Sequence, residues 1–437
     1  MIKEKEKDKV FKKIDEHRDE MIIFLQKLVQ TPSVSGLEKN AQDLVAKELS
    51  ELNSIIDIFN ADEVKGLREH PDFFETIAYK RYGYKARPNV VSKIKGVGKG
   101  KSLILSGHID VVPPDPIEDW SKDPWGATIE EGRLYGRGAL DMKSGIAAMI
   151  YAVKCLKRCG ISLKGDLIIE TTIEEELGGV GGALATIIRG YTADAAIITE
   201  PHYSDIMVAS GGVLTFRIKV EGKTAHAYQA HKGVNAIMKI MKICNALTDL
   251  NIQRQSRIKY QYVENMAAHM RGRATSLNIG VIRGGEWLST VPGFAEVECR
   301  IGYPPGNESR EDVMSEIEKC IFKVAKSDQW LRDHPPKIEW FGWKSRPHEQ
   351  NINHPFVKLL KTIIENTTGN KIRFTGGFAG NDARFFVLAG NTPAVLFGPT
   401  GKNLHASDEY VEIESIIGTA KVLALTTMKW CGYKFNN

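Results

Sequence analysis

The chain has 437 residues, of which 42% are hydrophobic and 26% are charged, an ordinary composition for a soluble globular protein. Its length exceeds the size at which a single hydrophobic core normally divides, so we expect two domains. The net charge of +5 is small for this length, and no stripe of basic and aromatic residues occurs, so no nucleic-acid partner is expected.

The sequence predicts a cytoplasmic protein that makes no membrane contact. No apolar stretch approaches the roughly 20 residues that cross a bilayer. The mixed-charge segment 1–9 lacks the apolar core of a secretory signal. The six cysteines are scattered, and Cys155 and Cys159 lie four apart on a predicted helix, which is poor geometry for a disulfide. They are expected to pack as small hydrophobic side chains in a reducing compartment.

The first half of the chain predicts two helices and then a sheet. Apolar residues recur at helical spacing over 9–31, which predicts an amphipathic helix, and again over 37–52. Segment 60–87 is charged and aromatic without a clear period, so we expect a loop-rich insertion whose role the sequence does not assign. From 88 to 200 strands alternate with helices, as in a βαβ sheet, and Asp141 is expected to open one of the helices.

The pattern changes after Ser210 and indicates a small inserted domain. Residues 213–220 alternate as a half-exposed strand does. The elements that follow are a helix at 233–249, strands near 276–282 and 294–302, a helix at 309–326 and a strand around 337–341. This β-α-β-β-α-β order is the ferredoxin-like split motif. The predicted fold class is therefore α/β, with a mixed-sheet domain (1–210 and 343–437) that receives a ferredoxin-like domain (211–342).

Acidic and imidazole side chains follow several of the buried apolar runs. His108 and Asp110 follow run 102–107, Glu174, Glu175 and Glu176 follow run 166–173, Glu200 follows run 195–199, and His405 follows run 393–397 after a loop. Asp141 lies between the first two runs, in the Gly-rich segment 136–143. Because ligands bind at the carboxyl ends of parallel strands, these side chains predict a metal site there.

The chemistry of such a cluster suggests a division of roles. Imidazole and carboxylate ligands together suit zinc, cobalt or manganese. Two metals with three protein ligands each need one bridging carboxylate, for which Asp141 is the candidate because of its place between the strands bearing His108 and Glu176. Glu175 is then free to act as the base that removes a proton from water. Asp110 is placed to accept the second N–H of His108.

Each of these signals has an ordinary explanation when taken alone. A His-x-Asp segment is common by chance, an acidic triplet is usually a solvated helix start, and Glu200-Pro201 is a plausible turn. Gly136-Arg137-Gly138 resembles a phosphate loop only weakly because it lacks the third glycine. The placement of all these residues at successive strand ends favours the metal site.

Four segments carry a resemblance to a known family: Ser106–Pro113, Gly136–Gly145, Glu175–Gly179 and Thr199–Pro201. They resemble the di-zinc aminoacylase and carboxypeptidase family, which includes acetylornithine deacetylase, succinyl-diaminopimelate desuccinylase and carboxypeptidase G. The motifs occur in matching order, and the resemblance extends from about residue 10 to 425. It implies two zinc ions, one on His108, Asp141 and Glu200 and the other on Asp141, Glu176 and His405. It also implies Glu175 as general base and Asp110 as orienting partner.

The same resemblance gives roles to residues outside the metal cluster. The inserted domain is similar to the family's lid and dimerisation domain, which implies a homodimer in which His226 reaches the partner's active site and stabilises an oxyanion. Asn278 resembles the family's lid asparagine. Segment 376–386 resembles its Gly-rich substrate loop, where Arg384 can clamp a carboxylate bidentately or simply belong to the helix that it begins. Without the family, His226 is an ordinary strand-end histidine and Asn278 a strand-edge amide.

The sequence therefore predicts a metal-dependent hydrolase that cleaves the amide of an N-acyl amino acid or a related small N-acyl amine. The intact motifs at 136–143 and 199–201 favour the deacetylase and desuccinylase branch. A dipeptidase or carboxypeptidase, an N-carbamoyl amidohydrolase and a deformylase share the chemistry and stay open. So does a non-catalytic metal-binding relative. Two divalent ions are expected, zinc first, with cobalt or manganese as alternatives.

Overall fold

The computed structural model describes residues 2–201, 205–266, 270–306, 308–377 and 379–436. Contacts divide the chain into two compact units. The first unit comprises Met1–Val208, Gln350–Thr375 and Asn381–Asn437, and the second comprises Ala209–Glu349 and Gly376–Gly380. None of the described helices is both long enough and apolar enough to cross a bilayer.

The elements are numbered here in chain order. The strands are β1 (Ile55–Asn60), β2 (Pro88–Ile94), β3 (Leu103–His108), β4 (Thr128–Glu130), β5 (Arg133–Tyr135), β6 (Ile161–Leu163), β7 (Leu167–Thr172), β8 (Ala196–Ile198), β9 (Asp205–Ser210), β10 (Gly212–Glu221), β11 (Ser276–Gly284), β12 (Phe294–Tyr303), β13 (Lys337–Lys344), β14 (His348–Glu349), β15 (Arg373–Gly376), β16 (Ala394–Leu396), β17 (Gly401–Lys402), β18 (Tyr410–Glu412) and β19 (Tyr433–Phe435). The helices are α1 (Glu4–Glu16), α2 (Arg18–Val29), α3 (Lys39–Ser50), α4 (Ile77–Tyr82), α5 (Ser144–Arg158), α6 (Ala183–Ile188), α7 (Ala236–Arg257), α8 (Gln261–Glu264), α9 (Arg310–Ser327), α10 (Gln329–Asp333), α11 (Pro355–Thr368), α12 (Ala383–Leu388) and α13 (Ile413–Cys431).

A mixed sheet forms the centre of the first unit, as predicted. Its strand order is β1-β2-β7-β3-β8-β16-β9. The four strands β7, β3, β8 and β16 are parallel to one another, whereas β1, β2 and β9 pair antiparallel. Every residue of β3, β7 and β8 is buried, which explains why they appear in the sequence as nearly unbroken apolar runs. The carboxyl ends of the parallel strands consequently share one edge.

The beginning of the chain contains two helices where the sequence predicted one. Over 9–31 the chain forms α1 and α2, which meet at His17, whose torsions are φ −110° and ψ 18°. The predicted helix over 37–52 is α3. Segment 60–87 contains a 3-10 turn at 61–63, the short helix α4 and connecting turns.

The prediction that Asp141 opens a helix is wrong, because α5 begins three residues later, at Ser144. The torsions of Asp141, φ −112° and ψ 97°, are not helical. The chain reaches this turn through Gly136 and Gly138, whose φ values of 149° and 81° are readily adopted only by glycine. The turn then presents the amide of Asp141 to the carboxylate of Glu409, at 3.0 Å, instead of placing it in a helix.

The second unit has the β-α-β-β-α-β order that the sequence predicted. Strands β10 to β13 form an antiparallel sheet in the order β11-β12-β10-β13. One face of this sheet packs against α7 and α9 in a core of buried hydrophobic residues that includes Phe216, Ile240, Val297 and Ile317. The observed α7 ends eight residues beyond the predicted helix, and the short helices α8 and α10 are additional.

A buried carboxyl group lies within the central sheet of the first unit. Glu170, on β7, is fully buried, and its Oε1 accepts a hydrogen bond from Ser106 Oγ at 2.9 Å. Its Oε2 has no hydrogen-bond partner among the described residues. Burial raises the pKa of Glu170 from 4.5 to about 8, and the nearby charge of Asp382 raises it further, against hydrogen bonds from Ser106 and Thr186 that lower it. The folded protein therefore holds this proton through neutral pH.

Glu170→Gln should change the pH dependence of stability. Below pH 4.5 both the folded and the unfolded states carry the proton. Between pH 4.5 and 8 the unfolded state alone releases it, so this group lowers the free energy of unfolding by about 1.4 kcal/mol per pH unit. We expect the variant to gain stability relative to the parent as pH rises from 5 to 8, measured by denaturant titration at each pH. Glu118→Gln, at an exposed position, is the control. If the parent and Glu170→Gln show parallel plots of stability against pH, the raised pKa of Glu170 would be wrong.

Candidate metal centre

The carboxyl ends of neighbouring parallel strands bring together residues that the sequence singled out. His108 is the last residue of β3. Glu175 and Glu176 lie on the short turn Glu175–Leu177, which follows β7, and Glu200 follows β8 by two residues. Because β3 pairs in parallel with both β7 and β8, these ends lie side by side at the edge of the sheet.

The carboxylate of Asp141 lies between two histidines. Its Oδ1 is 3.1 Å from Nε2 of His108, and its Oδ2 is 3.2 Å from Nε2 of His405. Oε1 of Glu200 lies 3.5 Å from the same nitrogen of His108, and Oε2 of Glu176 lies 3.1 Å from that of His405. The five side chains therefore form two groups that share Asp141. Within each group the candidate ligand atoms lie within 4.8 Å of one another.

The chemistry of this donor set fits two divalent cations. Imidazole nitrogens and carboxylate oxygens together suit zinc, cobalt or manganese. Asp141 and Glu200 are only 8% and 7% exposed, so their charges are largely removed from water. Oε1 of Glu176 is buried and has no hydrogen-bond partner among the described residues. A buried carboxylate oxygen without a partner is costly, and a metal ion would satisfy it.

A third group of carboxylates lies equally close together but is already paired with lysine and arginine side chains. Glu20, Glu48 and Glu51 lie within 4.8 Å of one another. The ammonium group of Lys154 lies 2.8 Å from Glu51 and 3.4 Å from Glu20, and Arg158 lies 2.8 Å from Glu20. These side chains neutralise the carboxylates, so the candidate metal centre is the pair of groups that share Asp141.

Glu409 and Arg137 hold the backbone around Asp141, and neither was among the residues predicted for the metal site. The Glu409 carboxylate is 1% exposed and accepts hydrogen bonds from the amides of Leu140 at 2.9 Å and Asp141 at 3.0 Å. The guanidinium of Arg137 donates to the same carboxylate at 2.5 Å. An arginine between two glycines in a buried segment signals that a carboxylate partner is needed, but only the fold identifies Glu409.

The side chain of Glu175 lies beside this cluster and is 8% exposed. Its backbone amide donates to Oδ1 of Asp110 at 3.0 Å. Burial raises the pKa of Glu175 well above its ordinary value, and the charges of Asp382, Glu200 and Glu176 raise it further, whereas His108 opposes them. A carboxyl group with a raised pKa retains a proton more readily than an exposed one, which favours a role as general acid after it has accepted the proton.

Asp110 contacts both His108 and the turn that carries Glu175. Nδ1 of His108 lies 2.8 Å from the main-chain oxygen of Asp110 and 3.6 Å from its carboxylate, so the closer contact is to the main chain. The carboxylate is fully buried and accepts from Ser35 Oγ at 2.7 Å and from the amides of Glu175 and Glu176. This arrangement orients the imidazole and the turn together.

The two histidines supply positive charge to the carboxylates in the metal-free chain. Hydrogen bonds to Asp141 and Glu176 raise the pKa of His405 to about 10. Burial raises the pKa of Glu200 to about 8, and the neighbouring charge of Asp141 raises it further. Because metal ligands must be deprotonated, binding of metal ions here releases protons.

His226 and Asn278 belong to the second unit. His226 is exposed and caps the turn Ala227–Lys232, with its Nδ1 accepting from the Tyr228 amide at 3.1 Å. Asn278 is exposed on β11, opposite Arg300 of β12. Their predicted roles in substrate binding and oxyanion stabilisation stay predictions.

Arg384 lies in α12 of the first unit and is 2% exposed. Its guanidinium donates to the main-chain oxygen of Asn381 at 2.7 Å and to that of Gly178, which follows the turn bearing Glu175. The alternative that Arg384 belongs to the helix which it begins therefore has direct structural support. Its contact with substrate stays a prediction.

Comparison with known proteins identifies a matching family profile, two relatives and a similar solved fold. Residues 104–429 match the sequence profile described as Peptidase family M20/M25/M40. Two relatives are N-formyl-4-amino-5-aminomethyl-2-methylpyrimidine deformylases: that of Halalkalibacterium halodurans is 31% identical over 96% of each chain, and that of Bacillus subtilis is 30% identical over 97% of each. A Bacillus subtilis protein described as a dinuclear metal-binding peptidase of family M20 has a similar fold, with a TM-score of 0.62 at 15% identity, over 95% of this chain and 99% of its own.

The shared position of Asp141 leads to a prediction about metal stoichiometry. Asp141→Asn should weaken binding of both ions because its two oxygens face the two groups, whereas His405→Ala should weaken binding of one. Calorimetric titration of the metal-free chain with Zn²⁺ measures both effects. Glu48→Gln, in the acidic group that contains Lys154, is the control and should leave two ions bound. Loss of both ions in His405→Ala would contradict the two-group arrangement.

Proposed function

The chain belongs to peptidase family M20/M25/M40 and is a metal-dependent hydrolase of amide bonds, and we propose that its substrate is a small N-formyl amide whose amine carries an aromatic heterocycle. The observation that carries the proposal is similarity over almost the whole chain to two deformylases that act on one N-formyl aminomethylpyrimidine. In the proposed reaction water adds to the formyl carbon, the carbon–nitrogen bond breaks, and formate and a primary amine are the products.

The metal ligands in this proposal are the two groups that share Asp141. His108, Asp141 and Glu200 would hold one divalent ion, and Asp141, Glu176 and His405 would hold the other, with zinc as the first candidate. Such ions, when bound, supply Lewis acidity that lowers the pKa of water and polarises a carbonyl oxygen. A relative of similar fold that is described as dinuclear supports two ions.

Glu175 is the proton carrier in the proposed mechanism. Its carboxylate accepts a proton from the attacking water and then donates it to the leaving nitrogen, so that the amine departs neutral. The raised pKa of Glu175 supports this role because burial favours the protonated form, which donates to the leaving nitrogen. Asp110 keeps Glu175 in place through the amides of the turn.

Deacetylase or desuccinylase activity is the second candidate. The unbroken motifs at 136–143 and 199–201, which resemble acetylornithine deacetylase and succinyl-diaminopimelate desuccinylase, favour it. The homodimer also belongs to the proposal, as does oxyanion stabilisation by His226 of the partner subunit. Exposure of His226 is compatible with such a contact.

A matched substrate panel tests the proposed function. One aminomethylpyrimidine amine is prepared as its formyl, acetyl, succinyl and carbamoyl derivatives, and N-acetylornithine, N-succinyl-diaminopimelate and simple dipeptides complete the panel. We expect kcat/KM for the formyl compound to exceed that for the others by about 100-fold, with release of formate. A higher kcat/KM for an acetyl, succinyl or dipeptide substrate would identify the second candidate. Absence of hydrolysis with two metal ions bound would indicate a non-catalytic relative.

Glu175→Gln tests the assignment of the proton carrier. The amide has nearly the shape of the carboxylate but cannot accept a proton, so kcat should fall by about 100-fold or more while two Zn²⁺ ions still bind. Steady-state kinetics and calorimetric titration on one preparation give both results. Glu131→Gln, at an exposed position, is the control. Full turnover by metal-loaded Glu175→Gln would rule out this mechanism.

A further inference from the structure

Segment 60–87, to which the sequence assigned no role, directs several side chains to one buried carboxylate. That carboxylate belongs to Glu174, which immediately precedes Glu175. Thr76 Oγ1 donates to it, Tyr84 donates its hydroxyl at 3.0 Å, and the Arg87 guanidinium lies 3.5 Å away. Glu174 is fully buried, and each of the three partners is 2% exposed. These contacts of Thr76, Tyr84 and Arg87 with Glu174 are called the Glu174 anchor below.

The backbone of Glu174 explains why an anchor is needed there. Its torsions, φ 68° and ψ 18°, lie in the left-handed region, which residues other than glycine rarely occupy without other contacts that hold them. This conformation turns the chain sharply out of β7. The main-chain oxygen of Glu174 then accepts from the amides of Leu177 at 3.2 Å and Gly179 at 2.7 Å. The orientation of residue 174 therefore determines how the turn with Glu175 and Glu176 begins.

The other contacts of the anchor make it rigid. Arg87 binds Glu38 bidentately, at 2.9 Å and 2.7 Å, so the guanidinium has one fixed orientation. The carboxylate of Glu174 also accepts from the Gly181 amide at 3.1 Å. A Cβ at Gly181 would lie 2.3 Å from the Tyr84 ring, so only glycine allows this close approach.

Asn89, just beyond the segment, holds both ends of the same loop. Its amide donates to the main-chain oxygen of Gly181 at 2.8 Å, and its side-chain oxygen accepts from the amide of Ile173 at 3.1 Å. Ile173 and Gly181 flank the turn that bears Glu175 and Glu176 on its two sides. The loop that carries Glu175 is therefore held at its two ends and, through Glu174, close to its reactive side chains.

Stability alone does not account for this network. Removing charged and polar side chains from water costs more than packing apolar side chains of similar volume, and replacing a buried ion pair by such side chains is often neutral or stabilising. Oriented polar contacts do provide one fixed backbone direction. That direction matters next to groups that must be aligned for proton transfer and metal binding.

We propose that the Glu174 anchor positions the turn that bears Glu175 and Glu176, so that Thr76, Tyr84 and Arg87 are positioning residues for hydrolysis. The inference rests on the proposed function, because it takes Glu175 as the proton carrier and Glu176 as a metal ligand. Loss of one anchor contact should misalign both side chains while the core of the unit stays folded.

Tyr84→Phe in the full-length, zinc-loaded protein is the principal test, with Tyr82→Phe as its matched control. Tyr82 lies on the same segment and is 40% exposed. Tyr84→Phe removes one hydroxyl donor to a buried carboxylate, so we expect kcat to fall about tenfold. KM should stay within about twofold, because substrate binding does not involve this hydroxyl.

Calorimetric titration of Tyr84→Phe with Zn²⁺ should show about tenfold weaker binding of one ion, the one that Glu176 would hold, and unchanged binding of the other. Tyr82→Phe should match the parent in every measurement.

A second pair of variants keeps the test decisive if Tyr84→Phe does not fold. Thr76→Ser retains the hydroxyl that donates to Glu174, and Thr76→Val removes it. We expect the serine variant to match the parent and the valine variant to show the same loss of kcat and of one Zn²⁺ affinity. Thr76→Val or Tyr84→Phe that is folded and keeps parental kcat and both Zn²⁺ affinities would overturn the proposal.

The two proposals fail in different ways. If Glu175→Gln retains full turnover, the proposed mechanism is wrong, yet the Zn²⁺ titration of Tyr84→Phe still reports whether the anchor positions Glu176. If Glu175→Gln loses turnover and Tyr84→Phe equals Tyr82→Phe, the mechanism stands and the anchor does not position the turn.

Discussion

The two groups of the candidate metal centre depend on one shared side chain, the carboxylate of Asp141. Its two oxygens face two histidines that are far apart in the sequence, His108 and His405. This arrangement works only if the backbone of Asp141 is fixed, and the buried carboxylate of Glu409 fixes it through consecutive amides. Pairing of β5 with β18 brings Glu409 beside the Gly-rich turn. The small sheet that contains β5 and β18 therefore fixes the position of Asp141 at the edge of the central sheet.

The parts of this site that the sequence predicted are those that depend on local patterns. His108 and Glu200 follow apolar runs whose burial is evident from composition, and parallel pairing places the ends of such strands together. The order of elements in the inserted unit could also be predicted, because hydrophobic residues repeat with a different period in strands than in helices. Such signals extend over a few residues and need no knowledge of tertiary pairing.

The parts that the sequence did not predict depend on contacts between distant segments. Arg137 meets Glu409, and Thr76, Tyr84 and Arg87 meet Glu174, across separations that no periodic pattern encodes. The start of α5 was misplaced for the same reason. Asp141 looks like a helix-opening carboxylate in isolation, but the glycines before it and Glu409 opposite it delay the helix to Ser144.

The spread of the ligands along the chain has a consequence for biosynthesis. The donors at 108, 141, 176 and 200 emerge from the ribosome long before His405, and the whole second unit is made in between. Strands β3, β7 and β8 can pair early, but the group that needs His405 stays incomplete until residue 405 has been translated. Closing such a long loop costs little more than closing a short one, about 0.6 kcal/mol per doubling of length. In the proposed arrangement, an ion in the group that contains Glu176 and His405 could therefore bind only after residue 405 has been translated.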